Sequence, residues 1–241
     1  MSSSIASSSL RVGVLPLIIL GAAIFCLRPL ESRLASVAWP AGHSVKGGGL
    51  FGVLGGMRAI VASGFWLRTN LAWEQRDPAA TTAFLKLTVA ADDGPRYFWL
   101  NGARMIAYDL PEWRMESGMP FAMQRKVAEE QAQAALGFLG DGLHAHPHDP
   151  VLLIEMANIR LRALGDREGA AQLFRQAAEQ NDAPYYAARI YGELLIQLGR
   201  PAEALAWLRQ ILPGLPADDP AARREVVVQR IKALEAHLGG R

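Results

Sequence analysis

Five histidines and one cysteine limit the chemistry this chain of 241 residues can do. Three of the histidines form the run His144-Ala-His146-Pro-His148-Asp149. Imidazoles at alternate positions beside a carboxylate suit zinc, nickel or copper, so this is the weak candidate for a metal site. No other segment offers a second set of ligands, and a proline-bearing junction between helices accounts for the run as a solvated loop. Nucleophilic catalysis has less to stand on. There is no G-x-S-x-G motif, and His43 and His237 fall in a glycine-rich stretch and a terminal helix. The neighbouring acids Glu129-Glu130 and Asp92-Asp93 read as solvated charges rather than an acid/base pair. Cys26 rules out an intramolecular disulfide or a cysteine-based zinc cluster. The glycines of 41–56 suggest a phosphate loop, but the Lys-Ser/Thr pair that such a loop needs is missing. The expectation is therefore a non-catalytic protein without cofactor, acting by binding.

The surrounding composition agrees. Half of the residues (51%) are apolar and the formal net charge is only +2, from 25 Lys+Arg and 23 Asp+Glu, which excludes a disordered chain. It also speaks against a dedicated nucleic-acid binder, which would concentrate base on one face. The charge divides unevenly. Residues 1–63 carry five basic groups and one acid, giving +4; residues 64–241 carry 20 and 22, giving −2.

The basic part contains an uncharged run, VGVLPLIILGAAIFCL (12–27), bracketed by Arg11 and Arg28. Extended to 10–30, it approaches the ~20 residues that cross a hydrocarbon core. A retained single-pass anchor is the favoured reading. A cleaved signal peptide competes, but its small-x-small sites lie far from the apolar run. A lipoprotein would use Cys26, but Phe25 sits where a small residue is wanted. A buried core helix is the remaining alternative. Residues 1–9 read as a disordered tail, 10–30 as the anchor and 31–57 as a glycine-rich linker. The stretch 50–67 is apolar enough to raise a second membrane-associated segment, although Arg58 near its middle opposes a full span. Flanking charges leave orientation open, with export of the bulk of the chain to the periplasmic side of an inner membrane preferred.

Beyond the linker lies an internal repeat. Residues 151–184 and 185–218 align with a shift of 34, placing Leu161 on Leu195, Leu164 on Leu198, Gly165 on Gly199, Ala170 on Ala204 and Phe174 on Leu208. In each unit a helix should stop at Leu-Gly, with glycine as left-handed cap, and a second should start at Asp166 or Pro201. Ala170 and Ala204 fit where two helices cross. Two looser units precede them. One covers 64–94, broken at Asp77-Pro78. The other covers 95–147, with PEWRMESGMP as an inserted loop. After Asp219-Pro220, residues 221–238 should form a last helix with Val227, Ile231, Leu234 and Leu238 as its apolar stripe.

The period and the A-x3-F spacing (Ala170 to Phe174, with Leu208 for Phe after Ala204), together with Gly192 and Pro216 at the glycine and proline slots, resemble the tetratricopeptide repeat. Asn158 and Asp182 depart from the pattern. The resemblance implies an all-α solenoid of about four helical hairpins over 58–217, preceded by one N-terminal transmembrane helix and closed by a capping helix over 218–241. Leu54-Gly55-Gly56-x-Arg58, Trp66-Leu67-Arg68 and Ala107-Tyr108-x-Leu110-Pro111 are also similar to a group of bacterial membrane-anchored proteins of this type.

In such stacks the first helix of each hairpin lines a concave groove. By register the groove would hold Arg96, Trp99, Glu155, Ile159, Arg162, Tyr186, Arg189 and Glu193, a mixture suited to a protein or peptide partner. Glu155 and Ile159 stand where a carboxylate-clamping Lys and Asn would be wanted. The implied function is a membrane-anchored scaffold; the alternative is an auxiliary subunit of an integral membrane complex that docks through its N-terminal apolar segments.

Overall fold

The computed structural model describes residues 50–115 and 117–239. The expected tail, the anchor at 10–30 and most of the linker lie outside the described residues. Among the described residues there is no strand, and no helix is long and apolar enough to cross a membrane. The stretch 50–67 is accordingly not a second span.

Helix α1 (Leu50–Glu74) starts inside the expected linker, which is a correction. Each glycine in a helix interior costs about 1 kcal/mol relative to alanine. Extension from a turn already formed gains a hydrogen bond per residue without a new nucleation step, so Gly52, Gly55 and Gly56 join the helix that 57–74 establishes. It ends where Arg76 turns into left-handed backbone (φ 54°). Asp77 then caps α2 (Pro78–Ala91), its carboxylate accepting the Ala80 N–H at 2.9 Å, with Pro78 in the first turn. Thr81, Leu85 and Thr88 form the buried stripe of α2, and both threonine hydroxyls donate to carbonyls one turn back.

The next helix is longer than expected. α3 (Arg96–Arg104) runs through a π-helical turn (Met105–Asp109) straight into α4 (Leu110–Arg114). PEWR therefore belongs to a helix, and among the described residues the loop is confined to 115 and 117–120. Pro111 would meet the carbonyl four residues back in a regular α-helix. The wider turn, in which the Leu110 N–H reaches Met105 O, relaxes that clash and lets the helix pass the proline.

α5 (Phe121–Ala145) and α6 (Pro150–Ala163) follow. The Asp149 carboxylate caps α6, accepting the Val151 and Leu152 N–H groups at 2.8 and 3.1 Å. α7 (Arg167–Ala178), α8 (Tyr185–Gln197) and α9 (Pro201–Ile211) complete the two regular repeats. Gly165 (φ 65°) and Gly199 (φ 74°) take the left-handed cap that Leu-Gly announces. Ala170 and Ala204 are fully buried at the crossings, with Phe174 and Leu208 beside them. α10 begins at Arg224 rather than 221 and runs to Gly239. The Asp219 side chain accepts the Ala221 N–H instead, making a turn that buries Ala222 and leaves Arg223 left-handed at φ 45°. Val227, Ile231 and Leu234 are buried as its stripe.

Two apolar clusters hold the helices together. One gathers Leu85, Trp99, Ile106, Phe138 and Leu139 around α2, α3 and α5. The other gathers Phe174, Leu194, Leu208 and Val227 around α7 to α10. α6 belongs to both: Leu152 and Ile159 enter the first, while Leu153, Ile154 and Ala157 enter the second.

Candidate functional site

The residues expected to line a groove separate into two groups. Trp99 and Ile159 are core, and Glu155 is buried beside them. The Trp99 ring packs on Phe138 at 4.8 Å, and its indole N–H donates to Asp93 O at 2.8 Å, tying the 92–95 turn to α3. Ile159 is fully buried because α6 is covered from both sides, so a register that would expose it on a half-covered helix buries it here. These three positions are corrections to the expected groove. The others lie at or near the surface, and Arg96 is anchored by an ion pair to the cap residue Asp149 at 3.0 Å.

Helix α6 brings Glu155 against α3, where the Arg104 Nε and Nη2 both donate to Glu155 Oε2, at 3.1 and 2.8 Å. That pairing holds the Arg104 guanidinium above its ordinary value. Sequence reasoning missed Arg104. The signal that could have found it was the carboxylate Glu155 at an otherwise apolar position of α6. Tyr108, from the π-helical turn, lies in the same field. Burial raises its phenol, the Glu155 charge raises it further, and Arg162 and Arg104 act in the opposite sense. Its hydroxyl is buried and has no hydrogen-bond partner.

On α8, Tyr186, Arg189 and Glu193 share one face at i, i+3 and i+7. Tyr186 remains 40% exposed. Glu193 is taken by the capping helix, accepting two hydrogen bonds from Arg230 at 2.6 and 2.7 Å. Arg189 has a buried Nε without a partner. Burial first, and then the neighbouring Arg223, lower its guanidinium from the ordinary value. Among the described residues, Arg162, Arg189 and Arg223 have no carboxylate partner. The face made by α3, α6, α8 and the turn before α10 thus carries surplus positive charge beside an exposed tyrosine.

The histidine run does not converge. His144 Nδ1 faces Gly140 O within α5 at 3.0 Å, His146 Nε2 faces Asp93 O at 3.2 Å, and His148 takes left-handed backbone (φ 64°) in the loop. Among the described residues no group of three His, Cys, Asp or Glu side chains could hold a metal ion. An open cleft of about 670 Å³ lies between α5 and the α6–α7 turn, and Lys126, Glu130, Arg160 and Asp166 are among its lining residues. Its charges are engaged with one another: Lys126 with Glu130, and Arg160 with Asp166.

Stacked helix pairs with glycine stops and a charged, partly exposed face define a helical-repeat module. Residues 161–224, from the last turn of α6 to the start of α10, match the tetratricopeptide repeat family. No curated protein matches the chain. The matched part is of tetratricopeptide type, a class of repeat that generally mediates protein–protein interaction.

Proposed function

We propose that the protein is a membrane-tethered scaffold that binds a protein or peptide partner on the face formed by α3, α6 and α8, without catalysis. The tetratricopeptide match over 161–224, which takes in α7 to α9, carries this reading, because a stacked repeat presents one helix of each pair along a common surface. Tethering through 10–30 is supported by the uncharged run between Arg11 and Arg28, and in this reading the anchor sits in an inner membrane with the repeats on the periplasmic side. The test is affinity purification of the full chain from membranes in mild detergent, beside the double variant Arg162→Glu/Arg189→Glu. Both substitutions reverse charge on the face without touching the apolar clusters. A partner recovered by the wild type and lost by the variant supports the reading; equal recovery by both counts against it.

One observation favours a second reading, an auxiliary subunit docked to an integral membrane complex. Ile60, Leu67 and Leu71 of α1 are all exposed, by 68%, 70% and 45%, on one helical stripe. Replacing all three by glutamine would then abolish association while the arginine variant retained it.

A further inference from the structure

This inference rests on the reading of that face as the partner-binding surface. Residues 155, 189 and 223 are spaced by the repeat length of 34, so one register slot reads Glu, Arg, Arg along the stack. Glu155 is satisfied by Arg104 on α3. The next two members of the slot are not. Arg189 has a buried, unpartnered Nε and feels the charge of Arg223, and among the described residues neither arginine forms an ion pair with a carboxylate. We propose that the partner presents an acidic peptide segment, one carboxylate of which bridges Arg189 and Arg223 while its neighbouring residue lies on Tyr186.

The chemistry follows from what the pair lacks. Two guanidiniums within reach of each other's charge repel, and the more buried one has also lost water at Nε without gaining an acceptor. A carboxylate supplies up to four lone-pair sites and accepts from guanidinium forks in two-point geometry. Arg223 is exposed, so the site opens to solvent and to a partner. Glu193, the carboxylate one turn beyond Arg189, is occupied by Arg230 and does not compete. Tyr186, one turn before Arg189 on the same face, offers a ring at low entropic cost.

The test uses the full chain in mild detergent and fluorescence anisotropy. The probe is a fluorescein-labelled peptide alternating Glu with Leu, compared with its Gln-for-Glu counterpart. The Glu peptide should bind and weaken as salt rises, and the Gln peptide should bind at least about tenfold less tightly. Arg189→Gln and Arg223→Gln should each weaken the Glu peptide about tenfold. Arg167→Gln, an exposed arginine at the start of α7, should leave it unchanged. Thermal melting separates recognition from folding: Arg189→Gln should melt no lower than the wild type, because it removes an uncompensated charge. Equal binding of the two peptides overturns the proposal, as do wild-type affinity in both arginine variants, no measurable Glu-peptide binding, or a lowered melting temperature in Arg189→Gln. Binding to anionic vesicles in place of the peptide overturns it too and assigns the two arginines to a lipid surface. If both peptides bind alike and Arg162→Glu abolishes both, the binding face stands and only its acidic preference falls.

Discussion

Arg104 and Glu155 share an ion pair but not an environment. The Glu155 side chain is 5% exposed and that of Arg104 is 50% exposed, so the two ends of one interaction respond differently to loss of the partner. With Arg104 removed, Glu155 is left as an uncompensated carboxylate between helices, a situation that costs several kcal/mol. With Glu155 neutralised, Arg104 turns to water. Arg104→Ala is therefore expected to destabilise by about 2–4 kcal/mol and Glu155→Gln by about 1 kcal/mol, read from denaturant midpoints. Equal effects would mean that the buried carboxylate finds another partner. Tyr108 is the opposite case. Its hydroxyl is buried without a partner, so Tyr108→Phe should be neutral or stabilising by up to about 1 kcal/mol, unlike most changes at a buried residue.

Helices here are defined by their ends and by their closest approaches. Asp166 caps α7 by accepting the Gly169 N–H at 2.8 Å and pairs with Arg160 at 2.7 Å. Those contacts, the backbone bond first, hold its carboxyl below the ordinary 3.8. A carboxyl depressed by folding stabilises above its unfolded value, and the benefit is lost as pH falls through the lowered one. The contribution of Asp166 is thus complete above pH 3.8 and disappears only in stronger acid. Asp166→Ala should cost about 1 kcal/mol at neutral pH and converge on the wild type in acid, whereas Asp166→Asn keeps a capping oxygen and loses a few tenths. The glycines inside helices divide by what stands opposite. A Cβ on Gly102 would lie 2.5 Å from Leu85 Cδ1 and 3.0 Å from Phe138 Cε1, and Leu85 is fully buried and has nowhere to go. Gly137 faces open space. Gly102→Ala should lower stability by about 1–3 kcal/mol and Gly137→Ala raise it by about 0.5–1 kcal/mol, since only the second gains helix propensity without overpacking. Thermal melts of the two variants should move in opposite directions.

At the scale of the whole chain, what the sequence made legible was local. Asp77-Pro78, Asp149-Pro150 and Asp166 announce helix starts, Leu-Gly announces stops, and the 34-residue register carries two hairpins because each slot repeats one packing job. Features that depend on a neighbour were hidden. Pro111 reads as a helix stop unless the π-helical turn before it is known. Ile159 and Glu155 fit an exposed face until α6 is seen to be covered on both sides. Asp219-Pro220 has the form of a cap, yet burial of Ala222 delays the helix to Arg224. The candidate face was legible as Arg162, Tyr186 and Arg189; Arg104, Tyr108 and Arg223 were not, since their roles exist only across helices.

The shared helix α6 also determines how the stack should come apart. A repeat stack is stabilised by each unit and by its interfaces with immediate neighbours, so damage at one end need not reach the other. Phe174 is fully buried in the C-terminal cluster and absent from the N-terminal one, which makes it the place to inflict such damage. Phe174→Ala should cost about 3–5 kcal/mol within its own cluster. α6 can lose its contacts to α7 and still keep Leu152 and Ile159 packed against α3 and α5, because those side chains point into the other cluster. The variant should therefore lose amide protection over α7 to α10 while α3, α5 and the amides of α6 remain protected, as seen by hydrogen exchange with mass spectrometry. A uniform fall in protection across both clusters would mean that α6 couples them into one cooperative unit. In that case a partner bound at Arg189 would stabilise the helices as far back as α2, whereas with two separable clusters its effect would end at α6.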